Sequence, residues 1–347
     1  MGLYATCLSY GPPVLRDATA DSTLVSELQA RIEEKRETIT VVPGEGNVLG
    51  VWGYSGDIYA FRNKSGGASA GMYKSTTSGW SEVDLGTALN FDSTTTNGEM
   101  VVGAVLTGAG GATGTIAGVS YYGNWDTGAS GTVVLTDITG TFVTDENLSC
   151  PTIAFDGGLV EILEGDAIVG ATSGETATVK KIQIASGDWS TDDAAGFLSV
   201  TDNSGTWTDG EDITVLGAKR ADINGSGQPA SQTIAKAYGT QYAQTLEVSG
   251  VYDFVNFNFK GSEGIEKMYG ANTVDNAFEY DGTTFVKIRT GMTVDTPKYV
   301  EAYNNHLFLT FPKGSLQNSC LQLPTIFSTT SGAAEIVVGD EITGLSV

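Results

Sequence analysis

The chain carries the same text twice, 65 residues apart, and no other feature constrains its fold as tightly. Residues 131–148 read GTVVLTDITGTFVTDENL and residues 196–213 read GFLSVTDNSGTWTDGEDI. Gly131/Gly196, Thr136/Thr201, Asp137/Asp202, Gly140/Gly205, Thr141/Thr206 and Glu146/Glu211 are identical, and Phe142/Trp207 is aromatic in both. Upstream, Gly123-Asn124-Trp125 answers Gly187-Asp188-Trp189, and residues 98–103 answer 165–170. A duplicated unit of this length is one small module repeated. The copies are expected at 96–155 and 156–218.

The texture is that of β structure. Short apolar runs alternate with Gly, Asn, Asp and Ser, as in Val48 to Tyr54, Ser55-Gly56-Asp57, then Ile58 to Arg62. Asn276 to Ile288 forms a hairpin around Asp281-Gly282 that can be laid on Met72 to Val83, with Phe285 on Trp80. Tyr299 to Tyr303 and His306 to Phe311 flank an Asn304-Asn305 turn. Units of strand, turn and strand ending in an aromatic are what propeller blades look like, and Trp52, Tyr54, Trp80 and Phe285 are expected in the core. One helix is expected over 21–37, capped by Asp21 or Ser22, with Leu24, Leu28 and Ile32 on one stripe. It either covers a sheet edge or makes a subunit contact.

These readings give an all-β fold, a propeller-like platform interrupted by two repeated β-modules, with one short N-terminal helix. The divisions are an arm over 1–40, a discontinuous β-domain over 41–95 plus 236–347, the two modules, and a return linker over 219–235.

Composition excludes several classes. Among 347 residues, 18 are basic and 41 acidic, for a net charge of −23. A grip on nucleic acid needs clustered Lys and Arg. The 14 Tyr, 13 Phe and 5 Trp do not suit a disordered acidic chain. Cys7, Cys150 and Cys320 are too scattered for a disulfide framework or a zinc site. No apolar run suits a membrane span, and the N-terminus lacks the pattern of a signal peptide. Gly2 with Thr6 matches the loose acylation pattern, which chance explains better.

Catalytic chemistry finds little to work with. The one histidine, His306, sits in an apolar run and reads as a strand residue. The Gly-rich run 108–114 precedes no helix and is not a phosphate cradle. Asp192-Asp193, Asp145-Glu146 and Glu211-Asp212 are candidate carboxylate pairs for glycoside hydrolysis, but the last two recur in both copies, which favours a structural role. Asp222, Asn224 and Ser226 alternate like the first half of a calcium loop, yet Thr233 stands where a bidentate Glu belongs, so a polar Gly turn is the better reading. No catalytic, cofactor-binding or metal-binding residues are assigned.

The text of residues 170–179 (GATSGETATV) and 201–213 (TDNSGTWTDGEDI) resembles small β-modules of tailed-bacteriophage virion proteins. The C-terminal stretch from Asn305 through Leu316-Gln317-Asn318-Ser319 to residues 332–345 (GAAEIVVGDEITGL) resembles tail nozzle or hub proteins of short-tailed phages. The resemblance implies a non-enzymatic structural protein of the virion, made in the host cytoplasm. Its partners would be itself, in a ring taken as a hexamer, and neighbouring tail or portal-adaptor proteins, with DNA in transient passage and no membrane. Nozzle proteins are usually much longer. The alternative is a tail-fibre or surface carbohydrate-binding protein, with Trp125 and Trp189 either stacked on sugar rings or in the core; a polysaccharide-cleaving tailspike is a third class.

Overall fold

The structure is a computed structural model and describes residues 22–38 and 40–346. Gly2, Thr6, Cys7 and the alternative cap Asp21 lie outside the described residues. The chain is nearly all β, with 49% in strands and 7% in helices. Helix α1 (Ser22–Thr38) occupies the expected place, and its side chains from 26 to 34 are exposed, Leu28 and Ile32 included.

Three four-stranded antiparallel sheets form a stack. The first runs β1 (Glu45–Tyr54), β2 (Asp57–Asn63), β3 (Ala70–Thr76) and β4 (Gly79–Glu82), in that spatial order. Its first hairpin turns on Ser55 and Gly56, both with positive φ, the geometry whose twist matches paired strands.

The chain then leaves for a long excursion of eleven strands. These are β5 (Thr87–Asp92), β6 (Val105–Gly108), β7 (Thr113–Tyr122), β8 (Ser130–Thr139), β9 (Asn147–Gly158), β10 (Ala167–Gly170), β11 (Thr176–Ser186), β12 (Ala194–Thr201), β13 (Asp212–Val215), β14 (Ala218–Ile223) and β15 (Ala230–Ala237). A short helical turn, α2 (Trp125–Gly128), links β7 to β8, and β16 (Tyr242–Ala243) pairs with β5 on the way back.

The second sheet is β17 (Asp253–Phe257), β18 (Lys267–Ala271), β19 (Phe278–Tyr280) and β20 (Phe285–Lys287). The third is β21 (Tyr299–Tyr303), β22 (His306–Phe311), β23 (Ser315–Asn318) and, after a detour through β24 (Ile326–Phe327), β25 (Ala334–Val337). Alternation along each strand lets the middle sheet bury both faces. Met268, Phe278 and Tyr280 pack with Tyr59, Phe61 and Met72 of the first sheet. Tyr269 and Ala271 point the other way, into a core shared with Val300, Leu307 and Leu309 of the third.

The two hairpins matched in the sequence occupy the same place in successive sheets: β3–β4 in the first and β19–β20 in the second. Tyr54 and Phe285 are core as expected. Trp80 and Trp52 are only half-buried, because each indole N–H reaches out to a partner: Thr40 O at 3.0 Å and Asn256 Oδ1 at 2.8 Å.

The excursion closes into two six-stranded antiparallel barrels. The first follows β5-β8-β7-β6-β9-β15 and returns to β5. The second follows β9-β12-β11-β10-β13-β14 and returns to β9. Strand β9 serves both: Leu148 and Ser149 pair with β6 in the first barrel, and residues 152–158 pair with β12 in the second.

The registers are superimposable strand by strand. Ile116↔Leu135 becomes Val179↔Val200, and both ladders then skip one residue, Ala117 or Lys180. Leu148↔Ala235 becomes Ile213↔Ala221, with Ile234 and Arg220 skipped in turn. Interiors of barrels this small are filled by side chains, and here they correspond too: Phe91/Phe155, Leu106/Ile168, Val133/Leu198, Phe142/Trp207 and Cys150/Val215 are all buried. Gly131 and Gly196 are identical because β8 and β12 lie too close there to the backbones of their paired strands β7 and β11 to admit a side chain. A Cβ there would collide with the carbonyl oxygen of Ser120 or Gln183.

Three expectations are corrected by these registers. Residues 219–235 are not a linker, since most of them lie in β14 and β15, the strands that close the two barrels. Residues 98–103 do not match 165–170. Gly103 matches Gly165, each N–H bonding to the carbonyl of Ile116 or Val179, and β6 matches β10. Finally, the first barrel is not confined to 96–155. It begins with β5 and is completed only by β15, so the second barrel is nested inside it, in the connection from Cys150 to Gln232. The equivalent connection in the second barrel is the two-residue turn Leu216-Gly217, with φ of 50° and 79°.

Candidate functional site

The repeated acids prove to be structural. Glu211 is buried, and its carboxylate accepts from the N–H groups of Thr172, Ser173 and Thr208 at 2.9, 2.7 and 2.6 Å and from the Ser173 hydroxyl at 2.8 Å. Glu146 does the same work in the first barrel, accepting from Gly110 N and Val143 N. Each Glu ties a β-hairpin tip to the turn before its own strand. Burial pushes the Glu211 carboxyl up, but the donations from Ser173 and Thr208 outweigh it and hold the group below the usual range.

The other sequence candidates are likewise engaged. Asp145 turns the chain at a φ of 63°, and Asp212 shares Lys219 with Asp222, at 2.8 and 2.6 Å. Asp192 is the left-handed C-cap of the short turn Trp189–Thr191, and Asp193 accepts from Asp188 N and Thr191 Oγ1. Asp222 lies in β14 and is held by Lys219, while Asn224 and Ser226 lie in the turn between β14 and β15, and among the described residues no three metal-ligating side chains converge. The Gly-rich run 108–114 is the β6–β7 hairpin. His306 opens β22, and its Nδ1 donates to the Ser319 carbonyl at 2.7 Å.

Trp125 is buried and donates to Gly98 O at 2.8 Å, while Trp189 lies flat on Phe155, ring centroids 5.4 Å apart. Trp125 has no exposed ring face to offer a sugar, whereas Trp189 is half-buried with Phe155 covering one face of its ring. Asn124 and Asp188 cap the two turns identically, accepting from Asp126 N and Ser190 N.

A site the sequence does not announce lies where the two barrels meet the detour between β23 and β25. Glu99, on the loop between β5 and β6, is buried beside a cavity of about 270 Å³. Tyr121 of β7 donates its hydroxyl to Glu99 Oε1 at 2.9 Å, and Gln183 of β11 places Nε2 at 3.4 Å from Oε2. The Glu99 N–H donates to Ser199 Oγ of β12 at 2.9 Å. Lys181 also lines the cavity and is ion-paired with Glu164 at 2.7 Å. Ser328, Thr330 and Ser331, following β24, form the opposite wall.

Burial pushes the Glu99 carboxyl up, against the charge of Lys181 and the hydrogen bond from Tyr121. Burial alone would push Lys181 down, but the charges of Glu99 and Glu164 raise it above the lysine range. A carboxyl raised on folding makes the folded state bind the extra proton. Its contribution to stability therefore falls as pH rises from the ordinary value of 4.5 through the folded value. The Glu99→Gln variant is expected to gain stability relative to the parent across that window, read by urea denaturation at pH 4 to 8. A difference that does not change with pH would contradict it.

No family model matches the chain, and no curated protein and no solved structure matches it significantly. No helix among the described residues is long and apolar enough to cross a membrane.

Proposed function

We propose that the protein is a structural component of a bacteriophage tail, a nozzle- or hub-like subunit that works by assembly and not by catalysis. The observation that carries this reading is the stack of three four-stranded meanders with a nested pair of barrels attached to its side. Such meanders are the units from which propellers of four to eight blades are built. Three in one chain fall short of a closed ring of blades.

In this reading six copies surround a conduit below the portal and its adaptor, in the virion, and DNA passes through without being held. The charge of −23 suits that role, because acidic walls repel phosphates. Closed rings arise when one surface patch meets a different patch on the next copy. The third sheet exposes an apolar side chain on each of its two edge strands, Tyr303 on β21 and Ile336 on β25.

Light scattering over a range of concentrations, with electron micrographs of the peak fractions, tests the proposal. The expected result is a closed ring with a hole wide enough for duplex DNA. A protein that stays monomeric at all concentrations counts against it.

A further inference from the structure

We infer that the cavity around Glu99 binds a single neutral sugar ring or a polyhydroxylated compound of that size. The inference goes beyond the tail reading and does not depend on it.

Size sets the first limit. At about 270 Å³ the cavity lies just under the roughly 300–1,000 Å³ of pockets for drug-sized ligands, so it suits one ring and not a chain of them. Its walls come from both barrels and from the segment after β24, so it is built by the assembled fold.

The chemistry sets the second limit. A carboxyl group has spare acceptor capacity whether ionised or protonated, and Glu99 has one close donor, from Tyr121, and a long contact from Gln183. Acceptor capacity is left over in a buried place, where it needs donors. Beside it stand the Lys181 ammonium, which only donates, the Gln183 amide, which does both, and the hydroxyls of Thr330 and Ser331 at the exposed side. Adjacent hydroxyls on a sugar ring each donate one hydrogen bond and accept others, which is the complement of such a wall.

Charge sets the third. Glu99 and Asp126 disfavour an anion, and the one ammonium is already paired with Glu164. A cation would have to sit beside Lys181. A neutral ligand rich in hydroxyls meets neither obstacle.

The test is saturation-transfer NMR and titration calorimetry on the full chain. The probes are glucose, galactose, mannose and N-acetylglucosamine, with acetate and methylammonium as charged controls. At least one sugar should bind saturably, tenfold or more weaker in Glu99→Gln. The double variant Thr330→Val with Ser331→Ala should weaken it severalfold at an unchanged melting temperature. Absence of saturable sugar binding, or stronger binding of acetate or methylammonium, would overturn the inference. If Glu99→Gln fails to fold, the double variant decides, and an unchanged affinity there overturns the site.

Discussion

Replacing Glu211 by Ala lowers the unfolding free energy by about 3–5 kcal/mol, the cost of orphaning three backbone N–H groups and a hydroxyl at about 1–3 kcal/mol for each group that stays buried. Relaxation and water entry keep the total below the simple product. Glu146→Ala is expected to cost less, about 2–3 kcal/mol, because Glu146 accepts from two backbone N–H groups. Glu211→Gln should fall between parent and Ala, since its amide turns a donor toward donors.

The acid dependence of Glu211 has the opposite sign to that of Glu99. Its folded carboxyl is held below 4.5, so its stabilisation is present above that value and is lost as pH falls through the folded one. Urea titrations of the variants at neutral and acid pH measure both effects. A loss below about 1 kcal/mol for Glu211→Ala would mean that the hairpin tip does not depend on this carboxylate.

Excising the second barrel should leave the first one folded. Deleting residues 151–231 and joining Cys150 to Gln232 through Leu-Gly, the dipeptide that joins Val215 to Ala218, recreates the tight turn of the second copy. The registers Cys150↔Gln232 and Val215↔Ala218 are equivalent, so the graft asks for no new geometry. The shortened chain is expected to unfold cooperatively with β-type circular dichroism. It should also lose the response of Glu99 to pH, because Lys181, Gln183 and Ser199 leave with the excised barrel. An aggregated product without a cooperative transition would show that the two barrels fold only together.

The duplication was legible because it is written in positions the barrel cannot vary. Gly131/Gly196 marks a close approach of paired strands, Asp137/Asp202 a left-handed backbone position, Glu146/Glu211 a buried hairpin tie and Phe142/Trp207 the interior. The match drifts upstream, from an offset of 65 at β8 to 62 at β6, because the turns between strands differ in length, so the likeness of residues 98–103 to 165–170 is not the structural correspondence. The nesting was not legible. Strand β15 resembles β14 over a handful of positions only, with Ala235 matching Ala221 and Ala237 matching Ile223, too few to stand out in a chain so rich in Ala, Gly and Thr. The Glu99 cavity left no trace in the sequence, since its walls come from the segments near residues 99, 121, 181 and 330.

Taken alone, the residues determined the β class, the repeated module, the tight turns and most of the side chains that fill it. These follow from local rules: alternation across a strand, backbone freedom at turns, and apolar side chains that must be buried. Which strand closes which barrel, and which three segments surround Glu99, was decided only by the tertiary structure. Ladder hydrogen bonds join backbone groups that every residue carries, so strand partners separated by scores of residues leave almost no mark on the side chains.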